Sequence, residues 1–172
     1  MNIPKSTELF DESRWRIVTD QTERNGSSSF IVSNSDSQSK LILRANLVPI
    51  SGEINALVGF AGAEFNFSSP IPYEEDLNFE FEMETLKKFT MTLTFINDKG
   101  ERYQHDLEVS PESSNYKVNI SQFKRTSRGR VLPGNLVTGD SLVTFGFSVL
   151  YSRQKTNGNE FEANWKVLNF KI

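Results

Sequence analysis

The sequence has 172 residues, with 22 acidic against 19 basic side chains, no cysteine and a formal net charge of −3. That length suits one domain able to bury roughly 70% of its unfolded surface, and the missing thiols exclude disulfides, thiolate zinc sites and cysteine nucleophiles. The acidic balance argues against a nucleic-acid binder, which carries a basic footprint, and no apolar run nears the roughly 18 residues of a membrane span.

The opening 15 residues contain no apolar h-region, and they carry Glu8, Asp11 and Glu12. Neither a secretory signal nor a mitochondrial leader is expected from that composition, so the expected address is cytoplasmic. One helical turn is predicted within Ser6 to Glu12. Strands are predicted at Trp15 to Thr19, Ser29 to Ser33, Leu41 to Val48 and Ala56 to Phe67. Within the last of these, Gly59 and Gly62 mark a bulge or close packing.

Period-two alternation, the mark of half-buried strands, is clearest in the middle of the chain. Leu77, Phe79, Phe81 and Met83 alternate with Asn78, Glu80, Glu82 and Glu84. Phe89, Met91, Leu93 and Phe95 alternate with threonines, and Asn97-Asp98-Lys99-Gly100 reads as a turn. Tyr103, His105, Leu107 and Val109 follow, so three consecutive antiparallel strands are predicted. Later strands are expected at Tyr116 to Ile120, Val143 to Tyr151 and Phe161 to Ile172. In the last, apolar parity switches after Val167, which predicts a one-residue β-bulge. Fourteen Phe against four Tyr and two Trp imply a thick apolar interior. About ten strands separated by turn signals predict an all-β fold, an antiparallel β-sandwich or barrel, in one domain spanning 1–172.

The chemistry of a site is hard to assemble from these residues. His105, the single histidine, shares a strand face with Tyr103 and Leu107 and reads as a semi-buried ring. No G-x-S-x-G elbow supplies a nucleophile for it. Glu80, Glu82 and Glu84 alternate along one exposed face, which a glycosidase pair in a cleft does not do. No D-x-D-x-D-G calcium loop and no phosphate-cradling glycine motif occurs. No cofactor and no metal is expected.

The least regular stretch is Gln122 to Leu142, read as a long loop with Lys124, Arg125, Arg128 and Arg130. Arginine forks pair with carboxylates in bidentate fashion. Such a loop either docks an acidic partner or lies across the chain's own Glu80–Glu84 face. A second polar loop, 21–29, holds Asn25-Gly26 and the serines Ser27 and Ser28.

Certain residues go beyond pattern. Trp15-Arg-Ile-Val-Thr-Asp20, then Gly26-Ser27-Ser28-Ser29-Phe30, then Val118-Asn-Ile120, Phe123-Lys-Arg-Thr-Ser-Arg128-Gly129-Arg130 and Phe145-Gly146-Phe147 follow one another in the order seen in one family. Together they resemble the complex I intermediate-associated protein 30 family, over about residues 9–172. The resemblance implies a galactose-binding-like jelly roll, no reaction, and a role as an assembly or scaffold factor. The expected partners are proteins, such as a multi-subunit complex or its assembly intermediates, with carbohydrate as the alternative ligand and no membrane insertion. Expected contact residues are Lys124, Arg125, Arg128 and Arg130, with Ser27 and Ser28 as a secondary surface. Trp15, Asp20 and Gly26 are expected to shape the first loop, Asp20 by accepting backbone N–H bonds.

Overall fold

The computed structural model describes residues 11–20, 28–34, 41–47, 59–127, 130–154 and 160–171. Twelve strands are found there: β1 (Trp15–Thr19), β2 (Ser29–Asn34), β3 (Leu41–Asn46), β4 (Phe60–Pro72), β5 (Asn78–Thr85), β6 (Phe89–Asn97), β7 (Arg102–Val109), β8 (Asn115–Asn119), β9 (Lys124–Ser127), β10 (Arg130–Val131), β11 (Ser141–Leu150) and β12 (Glu160–Lys171). They form two antiparallel sheets, one of seven strands in the order β1-β4-β11-β6-β7-β9-β10 and one of five in the order β2-β3-β12-β5-β8. The all-β sandwich expected from the alternation is the observed architecture. Of the turn expected at Ser6 to Glu12, Asp11 and Glu12 fall among the described residues, and Glu12 opens a 3-10 turn at Glu12–Arg14.

The alternating apolar residues of both sheets meet between the layers. Phe79 and Phe81 of β5 face Phe145 and Phe147 of β11, with ring centroids 4.9 and 6.3 Å apart in the two facing pairs. Trp15 of β1 meets Trp165 of β12 edge-on at 5.9 Å. Phe95 closes on Phe145 at 5.1 Å. Each buried ring of this size contributes about 1.5–3 kcal/mol by leaving water, and edge-to-face pairing adds to that. Among the described residues no helix is long and apolar enough to cross a membrane.

Three details differ from the sequence reading. β5 and β6 do not pair: β5 lies between β12 and β8, whereas β6 lies between β11 and β7. The link 86–88 carries the chain from one layer to the other, and both alternations bury their apolar sides in the same core from opposite directions. β4 runs on to Pro72, and its register with β11 slips between the pairs Leu142↔Ile71 and Thr144↔Asn66. Pro70 falls in that slip, where a missing N–H breaks no ladder bond. The irregularity predicted near Val167 is present but larger: β12 advances from Lys166 to Lys171 while β5 advances from Glu82 to Glu80. Gly62 packs as its position suggested, since a Cβ there would lie 2.4 Å from the Phe147 carbonyl oxygen.

Candidate functional site

Lys124–Ser127 and Arg130–Val131 of the basic stretch form a sheet edge, not a free loop. Lys124, Arg125 and Thr126 pair with Gln104, Tyr103 and Arg102 of β7, and β10 folds back on β9 through Ser127↔Arg130 and Thr126↔Val131. The Thr126 hydroxyl donates to Gln104 Oε1 at 2.8 Å, and the Leu132 amide donates to the Arg125 carbonyl at 2.8 Å. The polar sequence Lys-Arg-Thr-Ser hides this strand because it has no apolar alternation, and hydrogen bonding to an open edge alone places it.

Arg125 is occupied within the chain. Its Nη2 lies 3.1 Å from Glu101 Oε2, and its Nη1 donates to the Pro133 carbonyl at 3.4 Å. Lys124, Arg125 and Arg130, the described members of the cluster, stand on the seven-stranded sheet, whereas the Glu80–Glu84 face belongs to the other sheet; Glu80 pairs there with Lys117 at 3.4 Å. Lys124 and Arg130 are exposed, with no ion pair among the described residues, and Val131 beside them is 64% exposed. Arg128 lies outside the described residues.

The first loop is anchored by Asp20, which is fully buried. Its Oδ1 accepts the Ser28 amide at 2.9 Å, and Oδ2 accepts the Ser28 hydroxyl at 2.9 Å and the Gly59 amide at 2.7 Å. Ser28 is itself fully buried, so its hydroxyl serves this junction and does not face a partner. Gly26 and Ser27 lie outside the described residues. Trp15 packs in the core against Phe65 at 5.4 Å and Phe147 at 6.1 Å.

The outer face of the seven-stranded sheet holds an arrangement the sequence reading missed. One row of neighbours runs Arg16, Glu64, Gly146, Thr94, Gln104, Lys124 across six strands. Glu64 sits low in that face: Arg16 Nη2 lies 2.6 Å from its Oε2 and Arg102 Nη1 lies 2.8 Å from its Oε1. Arg102 stands on β7, three inter-strand spacings from β4 and so about 14 Å away on a flat sheet. The bridge passes beside Gly146, where a Cβ would come within 3.1 Å of Glu64 Cγ and 3.0 Å of the Ala63 carbonyl oxygen. Around it, the Thr92 hydroxyl donates to Asp106 at 2.7 Å, Arg153 Nη1 lies 2.6 Å from the same carboxylate, and the Thr144 hydroxyl donates to Asn66 at 2.7 Å. The outward threonines Thr90, Thr92, Thr94 and Thr144 are buried. The available signal was the Phe145-Gly146-Phe147 run, whose glycine marks a close approach.

His105 is half-buried and stacks on Phe123 at 5.4 Å. Desolvation lowers its pKa below 6.5, opposed by Asp106 and by a hydrogen bond from the ring to the Gln122 backbone. Among the described residues no three His, Asp or Glu side chains gather to hold a metal ion. Of the aromatic rings Tyr73, Tyr103, Tyr151 and Trp165, which a stacked sugar would need exposed, the first two and Trp165 are buried and Tyr151 is 42% exposed. A shallow depression of about 650 Å³ lies over β2, β3 and the start of β12, lined by Ile31, Arg44, Leu86, Lys87 and Glu162 among others.

A profile of the Complex I intermediate-associated protein 30 (CIA30) family matches residues 4–163. The chain belongs to the CIA30 family. No curated relative matches the sequence significantly. Among solved structures, this CIA30 chain is similar to the Family 11 Carbohydrate-Binding Module of the cellulosomal cellulase Lic26A-Cel5E of Clostridium thermocellum, with TM-score 0.58 and 10% identity over 91% of this chain and 85% of that one. The Clostridium thermocellum Family 11 module in complex with a beta-1,3-1,4-mixed-linked tetrasaccharide gives TM-score 0.57 and 10% identity over 91% and 86%. The agarase AgWH50C gives TM-score 0.54 and 8% identity over 94% of this chain and 23% of that one. At such identities the likeness is one of fold, and it agrees with the galactose-binding-like jelly roll that the sequence motifs imply.

Proposed function

We propose that this CIA30 domain is a non-catalytic protein-binding module, working in the cytoplasm as an adaptor or complex-assembly factor. Membership of the family over residues 4–163 carries that reading. Its contact surface is the edge hairpin of β9 and β10, where Lys124, Arg130 and Val131 combine two exposed cations with an exposed apolar side chain. That mixture suits the rim and margin of a protein interface better than it suits a reaction centre. Arg125 supports the hairpin from beneath through Glu101.

The test is purification of the tagged protein from its native cell beside the Lys124→Ala and Arg130→Ala variants. The expected result is a stoichiometric protein partner that the variants retain at least about fivefold less well, as hot-spot truncation does. An unchanged partner list for both variants counts against the hairpin. A glycan array run in parallel addresses the carbohydrate alternative, and saturable binding of one glycan class with no protein partner replaces the adaptor reading.

A further inference from the structure

We propose that Arg16 and Arg102, held by Glu64 on the outer face of the seven-stranded sheet, form a carboxylate-binding site for an acidic, extended segment of a protein partner. The proposal deepens the protein-binding reading and rests on it, but it is centred on Arg16 and Arg102 and shares only Lys124 with the β9–β10 edge.

Three observations support it. First, the two guanidiniums are positioned and still accessible. Arg16 donates one hydrogen bond to Glu64 and Arg102 forms an ion pair with its other oxygen, while the Arg16 side chain is 67% exposed and that of Arg102 is 36% exposed. A guanidinium has five N–H donors in a rigid fork, so each retains donors for a second carboxylate. One carboxylate between two arginines leaves the triad with a net positive charge.

Second, charge is divided between the two faces of the sandwich. Among strand residues and the adjoining turn, Arg16, Arg102, Lys124 and Arg153 stand with Glu64, Asp106 and Glu108 on the seven-stranded side, four cations to three anions. The five-stranded sheet instead carries Glu80, Glu82, Glu84, Glu160 and Glu162 with Arg44 and Lys117, and its register sets Lys166 and Lys171 opposite Glu82 and Glu80, five anions to four cations. In a chain of net charge −3, a positive face selects anionic partners by complementarity.

Third, the middle of the face is low. Gly62, Gly146, Ser148 and Thr144 lie on adjacent strands β4 and β11, and both glycines are buried. An extended chain can lie along such a lane with its acidic side chains reaching arginines on both sides. Stacking platforms for sugar rings are not what this part of the face offers: around Glu64, beside the glycines and the aliphatic Val18 and Ile96, its strand residues are polar or charged and none is aromatic.

The experiment measures binding of a fluorescent peptide of alternating Glu and Ser to the full chain, with a Lys/Ser peptide as control. Binding of the acidic peptide alone is expected, weakened by added salt. Arg16→Ala and Arg102→Ala should each lower affinity about fivefold or more, and Arg16→Lys should not restore it, because a lysine lacks the fork. Glu64→Gln separates positioning from charge. It makes the face more positive, so a diffuse attraction would strengthen, whereas the positioned site weakens. Tighter binding by Glu64→Gln, or equal binding by the folded Arg16 and Arg102 variants, overturns the proposal. So does saturable binding of a sulfated polysaccharide at Arg16 and Arg102 when the peptide does not bind. Arg130→Ala, which tests the hairpin, should leave peptide affinity within about twofold, since distant sites act independently. Failure of the hairpin reading is thereby distinguishable from failure of this one.

Discussion

The Gly59 amide donates to Asp20 Oδ2 at 2.7 Å across 39 residues of sequence. With the Ser28 amide and hydroxyl on the same carboxylate, this bond joins the end of β1, the entry to β2 and the entry to β4. Gly59 has φ +80, a conformation that favours glycine, and its carbonyl in turn accepts the Tyr151 amide at 2.7 Å. Asp20→Ala would strand two buried backbone donors as well as a hydroxyl. The expected loss is on the order of 3 kcal/mol or more, read as a lower urea midpoint at unchanged slope.

Asp140 carries an acid-sensitive contribution to stability. Its carboxylate lies 2.8 Å from Lys99 Nζ and accepts the Val137 amide at 3.0 Å. The hydrogen bond from Lys99 is the main reason its pKa is lowered from 3.8, followed by the bond from Val137, against desolvation. A depressed carboxylate contributes stability that is complete above its unfolded pKa and is lost as pH falls through the folded value. Asp140→Asn should therefore be less stable near neutral pH and should flatten the acid limb of a stability–pH profile. An acid limb identical to that of the parent protein would refute this.

His105 acts in the neighbouring window. Desolvation lowers its pKa below 6.5, so the unfolded chain takes up the proton first. Its contribution is therefore full above that value and declines as pH drops through it toward the folded pKa. His105→Gln should remove this slope below about pH 6.5 while losing the stack on Phe123. Thermal melts of both proteins across that range provide the measurement.

Gly62 has no room for a side chain. A Cβ would sit 2.4 Å from the Phe147 carbonyl oxygen and 2.6 Å from Ser148 Cβ. Gly62→Ala must push β4 from β11 in the middle of the larger sheet. A cost of about 1–3 kcal/mol or more is expected, as for other overpacked positions, together with loss of protection in amide exchange along both strands.

Much of this architecture could be read from alternation alone, because a period of two records which side of a strand is buried. Phe79-Phe81-Met83 and Phe89-Met91-Leu93-Phe95 declared two strands and their core faces directly. Which strands are neighbours was not recorded there. Two runs burying their apolar sides in one core look alike whether they share a sheet or face each other, so β5 and β6 were wrongly placed side by side. β9 was illegible for a different reason: Lys124 to Ser127 is held by backbone bonds to an open edge, and its side chains carry no periodic signal. The Arg16–Glu64–Arg102 bridge depends on strands distant in sequence, and only Gly146 left a trace of it in the chain.

β12, the last strand described, lies at the centre of its sheet, between β3 and β5. The β2–β3 pair and the β5–β8 pair therefore share no ladder until it is inserted, and each keeps an open edge until then. A ribosome making this protein has produced the other eleven described strands before that seam can close. Such late, long-range closure makes folding slow, and the waiting edges invite pairing with other nascent chains. For this jelly roll, the concentration of unfinished copies should limit yield in refolding more strongly than denaturant or temperature does.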